Sequence, residues 1–385
     1  MGAKKQILII SFSDLDKDPR VRRQIFSLKD THIVTAVGLF DPHVSGVEFL
    51  EASFSAANSA TVLLRALQLK LHLFDRFYRE KYALTALRAG LNKRHFDLLI
   101  ANDIDALPFA LDVAQEAKVL LDCHEYAPRE FEDQFQWRFF FQSYKEYLCR
   151  TYLKRCDSVI TVCEGIAEEY KRTFDIQPHV ITNAADYVEM KPSPVADDRI
   201  RLIHHGGAIP SRRIELMIRM MNYLDDRFKL TLMLTKNIPA YYQKLLDLGS
   251  GNPRIEFREP VAFAEIVAEI HQYDVGVYIL EPNSFNNKYA LPNKFFEFIQ
   301  ARLAVAIGPS PEMARLVKAH DLGIVADDFE PQTLARLLNG LTREKIEYYK
   351  RRTAEAAYEL SSEGNRKKIL ELVDALIGGD IAHDK

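Results

Sequence analysis

The chain is predicted to be an α/β protein made of two Rossmann-like domains in tandem, and three observations carry that reading. Short apolar runs alternate with helical segments from end to end, the pattern of a parallel sheet covered on both faces. A polar stretch with two prolines divides the runs into two series. The length of 385 residues also exceeds what a single core usually reaches.

In the first series the strand-like runs are ILIISF (7–12), IVTAVGLF (33–40), DLLIA (97–101), KVLLDC (118–123), SVITVC (158–163) and HVIT (179–182). The stretch NAADYVEMKPSPVADD (183–198) reads as the connector. A second series follows: RLIHH (201–205), KLTLML (229–234), RIEF (254–257), DVGVYIL (274–280), LAVAI (303–307) and GIVA (323–326). Residues 343–377 are expected to form one or two closing helices. The expected domains are therefore 1–185, a linker at 186–198, a second domain at 199–360, and a closing helix within 361–385 that packs back at the domain junction.

Composition narrows the function. The content of 48% hydrophobic and 27% charged residues is that of a soluble globular chain, and the net charge of 51 − 54 = −3 gives no general case for binding nucleic acid. The four cysteines lack the paired spacings of zinc sites and are few for a disulfide scaffold, so a reduced cytoplasm suits them. The start MGAKKQILIISFSD reads as a first strand rather than a leader, because its apolar run is short and meets Asp14 and Asp16. No stretch approaches the roughly 18 consecutive apolar residues of a membrane span. There is no G-x-G-x-x-G after the first strand and no G-x-x-x-x-G-K-[ST], which removes the main support for NAD enzymes and P-loop ATPases.

The most informative block is NNKYALPNKFFEFIQARLAVAIG (286–308), a polar loop, a helix start and a buried strand in succession. The loop leaves the carboxyl end of the run 274–280, where open α/β sheets bind ligands. Pro292 fits the first helical turn, and the free amides of that turn, with Lys288 and Lys294 close by, suit a phosphate. Glu297, about a turn and a half further in, can accept from two ribose hydroxyls. A capped helix with a solvated glutamate fits the same residues.

RLIHHGGAIPSRRIEL (201–216) repeats the strand, loop, helix order. Gly206 and Gly207 let the backbone approach a ligand, and Arg212 or Arg213 can pair with a diphosphate; a turn with two surface arginines is the alternative. In the first half, KVLLDCHEYAPREF (118–131) puts Asp122, His124 and Glu125 past a strand, at spacings that match no common metal pattern. In ANDIDALP (101–108), Asn102 or Asp103 is expected to cap the helix DALPFALDVAQEA. SDLDKDPRVRRQIFSL (13–28) is another helix entry, with Arg20, Arg22 and Arg23 either holding an acceptor or facing solvent. Residues 61–94 carry eight Lys or Arg against two Asp or Glu among leucines and aromatics, the pattern of a basic amphipathic helix, on a membrane surface or simply on a soluble protein. The aromatic cluster FQWRFFFQSYKEY (135–147) adds to that patch or lines an acceptor groove.

Five blocks in order, DPRVRRQIFSL, LLDCHEYAPREF, CDSVITVCEGIAEEY with ITNAAD, HHGGAIPSRRIEL and ALPNKFFEFIQARLAV, resemble glycosyltransferase family 4. The resemblance implies the GT-B fold, two Rossmann-like domains whose parallel sheets face a central cleft. It implies a retaining transfer from a nucleoside-diphosphate sugar, UDP or GDP, to a glycan, a lipid-linked or another hydroxyl acceptor, with no cofactor and no metal. By motif match, His124, Arg213 and Glu297 are the catalytic group. The donor side is Gly206, Gly207, Arg212, Lys288, Tyr289, Leu291, Pro292 and Lys294, and the acceptor side is Arg20, Asp103 and Glu125. Tyr289 stands where the family's first motif glutamate falls, Ala208 stands where an arginine often follows the glycine, and SDLDKDPRV replaces the glycine-rich first loop. A GT-B sugar-nucleotide epimerase and a catalytically weak partner subunit are the alternatives. The expected setting is cytoplasmic, peripheral on the inner face of the membrane through residues 62–94, and engaged in polysaccharide or glycolipid synthesis.

Overall fold

Two separate all-parallel sheets organise the computed structural model, which describes residues 4–54, 58–196 and 199–378. The first compact unit runs to Thr182 and takes back Ser284–Asn286 and the chain from Arg366; the second covers Asn183–Asn283 and Asn287–Asn365.

The first unit runs β1 (Gln6–Ser11), α1 (Pro19–Leu28), β2 (Ile33–Gly38), β3 (Glu48–Glu51), α2 (Ser59–Lys70), α3 (Phe74–Lys81), α4 (Thr85–Leu91), β4 (Leu98–Asn102) and α5 (Leu107–Val113). It continues with β5 (Lys118–Cys123), α6 (Phe135–Phe140), α7 (Gln142–Tyr152), β6 (Ser158–Thr161), α8 (Glu164–Phe174) and β7 (His179–Val180). Its sheet has the order β3-β2-β1-β4-β5-β6-β7, so the winding reverses between β1 and β4. Ile7 on the central β1 sits in register with Val34 and with Leu98, and all three are buried. Asp18 accepts from the amides of Arg20 and Val21, and Pro19 occupies the first turn of α1, where no amide hydrogen is needed.

The second unit runs β8 (Ile200–Gly207), α9 (Glu215–Met220), β9 (Phe228–Thr235), α10 (Pro239–Gly249), β10 (Ile255–Arg258), α11 (Ile266–Ile270) and β11 (Val275–Tyr278). After α12 (Phe285–Lys288) come α13 (Asn293–Gln300), β12 (Ala304–Ile307), α14 (Pro311–His320), β13 (Gly323–Val325), α15 (Pro331–Asn339) and α16 (Arg343–Ala356), and α17 (Ser362–Ile377) closes the chain. The order β10-β9-β8-β11-β12-β13 puts the reversal between β8 and β11. Such a reversal opens a crevice beyond the carboxyl ends of its two strands.

Several expectations need correction. β3 had no counterpart in the sequence reading: it is four residues, EFLE, at the sheet edge against β2, too short and too charged to show a burial pattern. The single helix expected over 61–94 is three helices, interrupted at His72, whose φ of 55° cannot continue a right-handed helix. Neither Asn102 nor Asp103 caps α5: Asn102 closes β4, Asp103 has φ 63°, and the helix starts after Ala106 with no side-chain cap. Pro292 is not in the first turn of α13 but precedes it as an extended residue, with φ −74° and ψ 151°.

The stretch read as a linker packs as part of the second unit. Arg302 donates to Val188 O (2.6 Å), and Lys350 donates to Ser193 Oγ (2.9 Å). Residues 197–198 of that linker, 1–3 of the first domain and 379–385 of the closing segment lie outside the described residues. From Arg366 onward α17 belongs to the first unit, where Ile369 and Val373 join the core of Ile7, Val34, Leu98 and Leu120.

Candidate functional site

At the second reversal, β8 ends in His204, His205, Gly206 and Gly207, and α13 begins with Asn293 and Lys294. The two glycines admit cations to the backbone. Gly206 has φ 118°, and a Cβ on it would lie 3.3 Å from Lys294 Nζ; one on Gly207 would lie 3.1 Å from Arg212 Nη1. Arg212 donates to Gly207 O at 3.3 Å. Both cations therefore meet at one turn, beside the free amides that open α13.

The imidazoles beneath them are held neutral. His204, fully buried, donates from Nδ1 to Val277 O at 3.0 Å, which leaves Nε2 as the acceptor facing Lys294 Nζ at 3.4 Å. Burial, and then the Lys294 charge, hold His204 well below the usual imidazole range. Burial, followed by Lys294 and Arg212, pushes His205 down to about 3. Lys294 is only 5% exposed, its ammonium lies 4.3 Å from the Tyr278 ring centre, and burial, then Arg212, lower its pKa well below the lysine value, with Glu297 opposing. Glu297 is buried too, with Oε2 3.3 Å from His205 Nε2.

The adjacent arginine is differently placed. Arg213 sits at φ 47°, with Nη1 2.9 Å from Glu281 Oε2 and Nε 3.3 Å from Glu215 Oε1. Arg212 is thus the guanidinium at the glycines, and Arg213 is the one already engaged by carboxylates. Lys288 is exposed and lies 5.1 Å from the centre of its neighbour Tyr289's ring; Leu291 is buried. His204, His205 and Tyr278 went unnamed as site residues in the sequence reading. The signal was present, since two histidines at the end of a buried strand, just before two glycines, are unusual company for an apolar run.

In the first unit the strand ends around the other reversal hold a polar chain. Arg20 pairs with Asp122 through both Nε and Nη2 (2.6–3.0 Å) and donates to Ile181 O (3.0 Å), all buried. Gln24 donates to Asp122 Oδ2 (3.3 Å) and accepts from Asn102 Nδ2 (3.0 Å). Asn102 Oδ1 in turn accepts from His124 Nε2 (3.1 Å), while His124 Nδ1 lies 3.4 Å from Asp103 Oδ2. His124 and Asp103, which the sequence placed in separate segments, therefore meet, and Arg20 is buried at the far end of this polar chain, paired with Asp122. Glu125 is exposed, 3.3 Å from Asn286 Nδ2. Asp105 is ion-paired to Lys145, which also holds Glu130 at 2.8 Å. Among the described residues no group of three His, Cys, Asp or Glu side chains is set to hold a metal ion.

Residues 36–188 match the family model of Glycosyltransferase Family 4, so the resemblance stands over that stretch. The fold is GT-B. A glycosyltransferase from Rickettsia africae superposes with a TM-score of 0.71 at 12% identity, over 98% of this chain and 100% of that one. Sucrose-phosphate synthase from Thermosynechococcus elongatus gives 0.70 at 14%, over 98% and 100%. Anabaena HepE in complex with UDP and glucose gives 0.67 at 13%, over 96% and 100%. No curated protein matches the chain at a significant level.

Proposed function

We propose that the protein is a glycosyltransferase that takes its sugar from a nucleoside-diphosphate donor bound by the second unit. The observation that supports this best is the meeting of Arg212 and the buried Lys294 at Gly206 and Gly207, beside the opening turn of α13. Two cations crowded at free helix amides suit the two negative phosphates of a diphosphate. Glu297, five residues into α13, is the ribose partner on the family motif match, and UDP, the nucleotide in the HepE complex, is the first donor base to try.

The proposed reaction retains configuration at the anomeric carbon. The bond from that carbon to the diphosphate oxygen breaks, and its electron pair leaves on the nucleotide. The acceptor oxygen bonds to the same face, and its proton passes to the departing phosphate. Arg212, Lys294 and the amides stabilise the charge that develops, the electrostatic contribution that is commonly the largest in such transfers. His124, oriented by Asn102, is assigned a contact to the transferred sugar, and the acceptor, a glycan or lipid-linked hydroxyl, is assigned to the first unit.

A panel of UDP-, GDP-, ADP- and dTDP-sugars, scored for thermal stabilisation and nucleotide release, tests the reading. One donor at about 100 times its Kd should stabilise the protein by roughly 2.7 kcal/mol. No shift from any of them at millimolar concentration sinks the proposal. An epimerised donor without transfer would assign the epimerase alternative, and proton coupling at the anomeric position of the product reads retention directly.

A further inference from the structure

α2 carries most of its apolar side chains outward, although Leu69 is buried. Gln68 is buried and donates to Glu80 Oε2 at 2.7 Å, whereas Val62, Leu63, Leu64 and Leu67 are exposed, Leu63 at 73%. Leu71 and Leu73, just beyond the helix, are exposed as well. α6, which packs against α2, has no buried residue of its own, and Phe135 is 70% exposed with its ring stacked on that of Phe139, 5.9 Å between centres. Lys70 ties the helices together, its Nζ lying 3.2 Å from the centre of the Phe139 ring. Two segments more than sixty residues apart therefore build one exposed apolar patch, of the kind that marks an interaction site.

The charges around the patch are mostly of one sign. Arg65, Lys70, Arg76, Arg79 and Lys81 on α2 and α3, with Arg138 on α6, face the carboxylates Asp75 and Glu80, and Glu132 and Asp133 precede α6. Glu80 is paired with Arg76, Asp75 accepts from the Tyr147 hydroxyl, and Glu132 is paired with Arg129. Lys70, Arg79 and Arg138 are exposed. A second copy of the chain would set this cationic rim against itself, because a two-fold interface joins the same patch from both subunits. An anionic bilayer accepts the apolar side chains and the cations together.

We propose that the α2–α6 patch is a membrane wedge, with Leu63, Leu67, Phe135 and Phe139 entering the lipid and Lys70, Arg79 and Arg138 at the anionic headgroups. The sequence pointed to the basic stretch 62–94, with the aromatic cluster 135–147 adding to it or lining an acceptor groove; the fold sets α6 against α2 and leaves their apolar side chains exposed. The inference rests on this surface alone and does not depend on the sugar-transfer reading.

Trp137, the single tryptophan of the chain, lies half-buried on α6 and reports on the patch. The full-length protein is mixed with phosphatidylglycerol or phosphatidylcholine vesicles and followed by Trp137 emission and by co-sedimentation. Phosphatidylglycerol should shift the emission to the blue and carry the protein down, with brominated chains quenching it, and phosphatidylcholine should do far less. Leu67→Ser with Phe139→Ser should abolish the shift. Lys70→Gln with Arg79→Gln should lower partitioning roughly 30-fold, which converts to about 2 kcal/mol for two cations. All variants should keep the wild-type melting temperature and nucleotide stabilisation, which separates loss of the wedge from misfolding and from failure of the donor site. Equal behaviour with both lipids, an unchanged emission, or a dimer in sedimentation velocity that Phe139→Ser dissolves would overturn the proposal.

Discussion

The ammonium of Lys294 stands 3.4 Å from Nε2 of His204, and His204 has already committed its other ring nitrogen to the Val277 carbonyl. The lysine thus faces a neutral acceptor in a buried setting that works against its charge. Burial and Arg212 lower its pKa, so the free protein holds Lys294 short of a full proton over a window reaching up to the ordinary value of 10.5. A bound diphosphate reverses this and raises the pKa. Binding should therefore take up a proton, and affinity should fall as pH rises through the window. Calorimetry of UDP binding at about pH 8.5, in buffers of different ionisation enthalpy, reads the proton directly. A heat independent of buffer would remove Lys294 from the phosphate site.

The same linkage has a stability arm. The unfolded chain binds more protons at Lys294 than the folded one, so this residue makes stability rise with pH across the window. Lys294→Met should abolish nucleotide binding and yet stabilise the empty protein by about 1–3 kcal/mol, the usual range for relieving a poorly satisfied buried polar group. A lower melting temperature in that variant would contradict the burial argument.

Arg212 and Arg213 are neighbours with separate prospects. Arg212→Ala should weaken nucleoside-diphosphate binding by about 1.5–3 kcal/mol, the range for a charge-assisted hydrogen bond. Arg213→Ala, which frees Glu281 and Glu215 rather than a phosphate, should change affinity less than about threefold. Titration calorimetry on the two variants decides it, and a larger loss in Arg213→Ala would return the phosphate role to the residue favoured by motif match.

Glu297→Gln should weaken UDP by about 1.5–3 kcal/mol and weaken 2′-deoxy-UDP by less, because the deoxy ligand has already lost one of the two ribose contacts. Equal losses for both ligands would detach Glu297 from the sugar ring of the nucleotide.

Arg20→Met should cost about 3–5 kcal/mol of folding stability, the penalty for leaving Asp122 buried without its partner. Urea unfolding measures it. If the variant folds as stably as the wild type and loses only acceptor affinity, the acceptor role expected from the sequence is restored.

The proposed phosphate seat was legible in part because its ingredients are local. A loop leaving a strand end, a proline before a helix and a glutamate a turn and a half on all lie within one segment, and spacing alone puts them together. Choosing between Arg212 and Arg213 was beyond reach, because the choice turns on Glu281, nearly seventy residues away in the chain. The partner of Arg20 was out of reach for a similar reason: an arginine early in a helix gives no sign that Asp122, a hundred residues on, will take it into the interior.

By itself, then, the sequence determined the two wound halves and twelve of the thirteen strands among the described residues, since these follow from hydrophobic period. Tertiary structure alone decided which charges stay unpaired and which surfaces stay bare. A cation's partners, a histidine's protonation and the outward turn of the α2 leucines depend on what distant segments bring within a few ångströms, and burial then sets the strength of each charge.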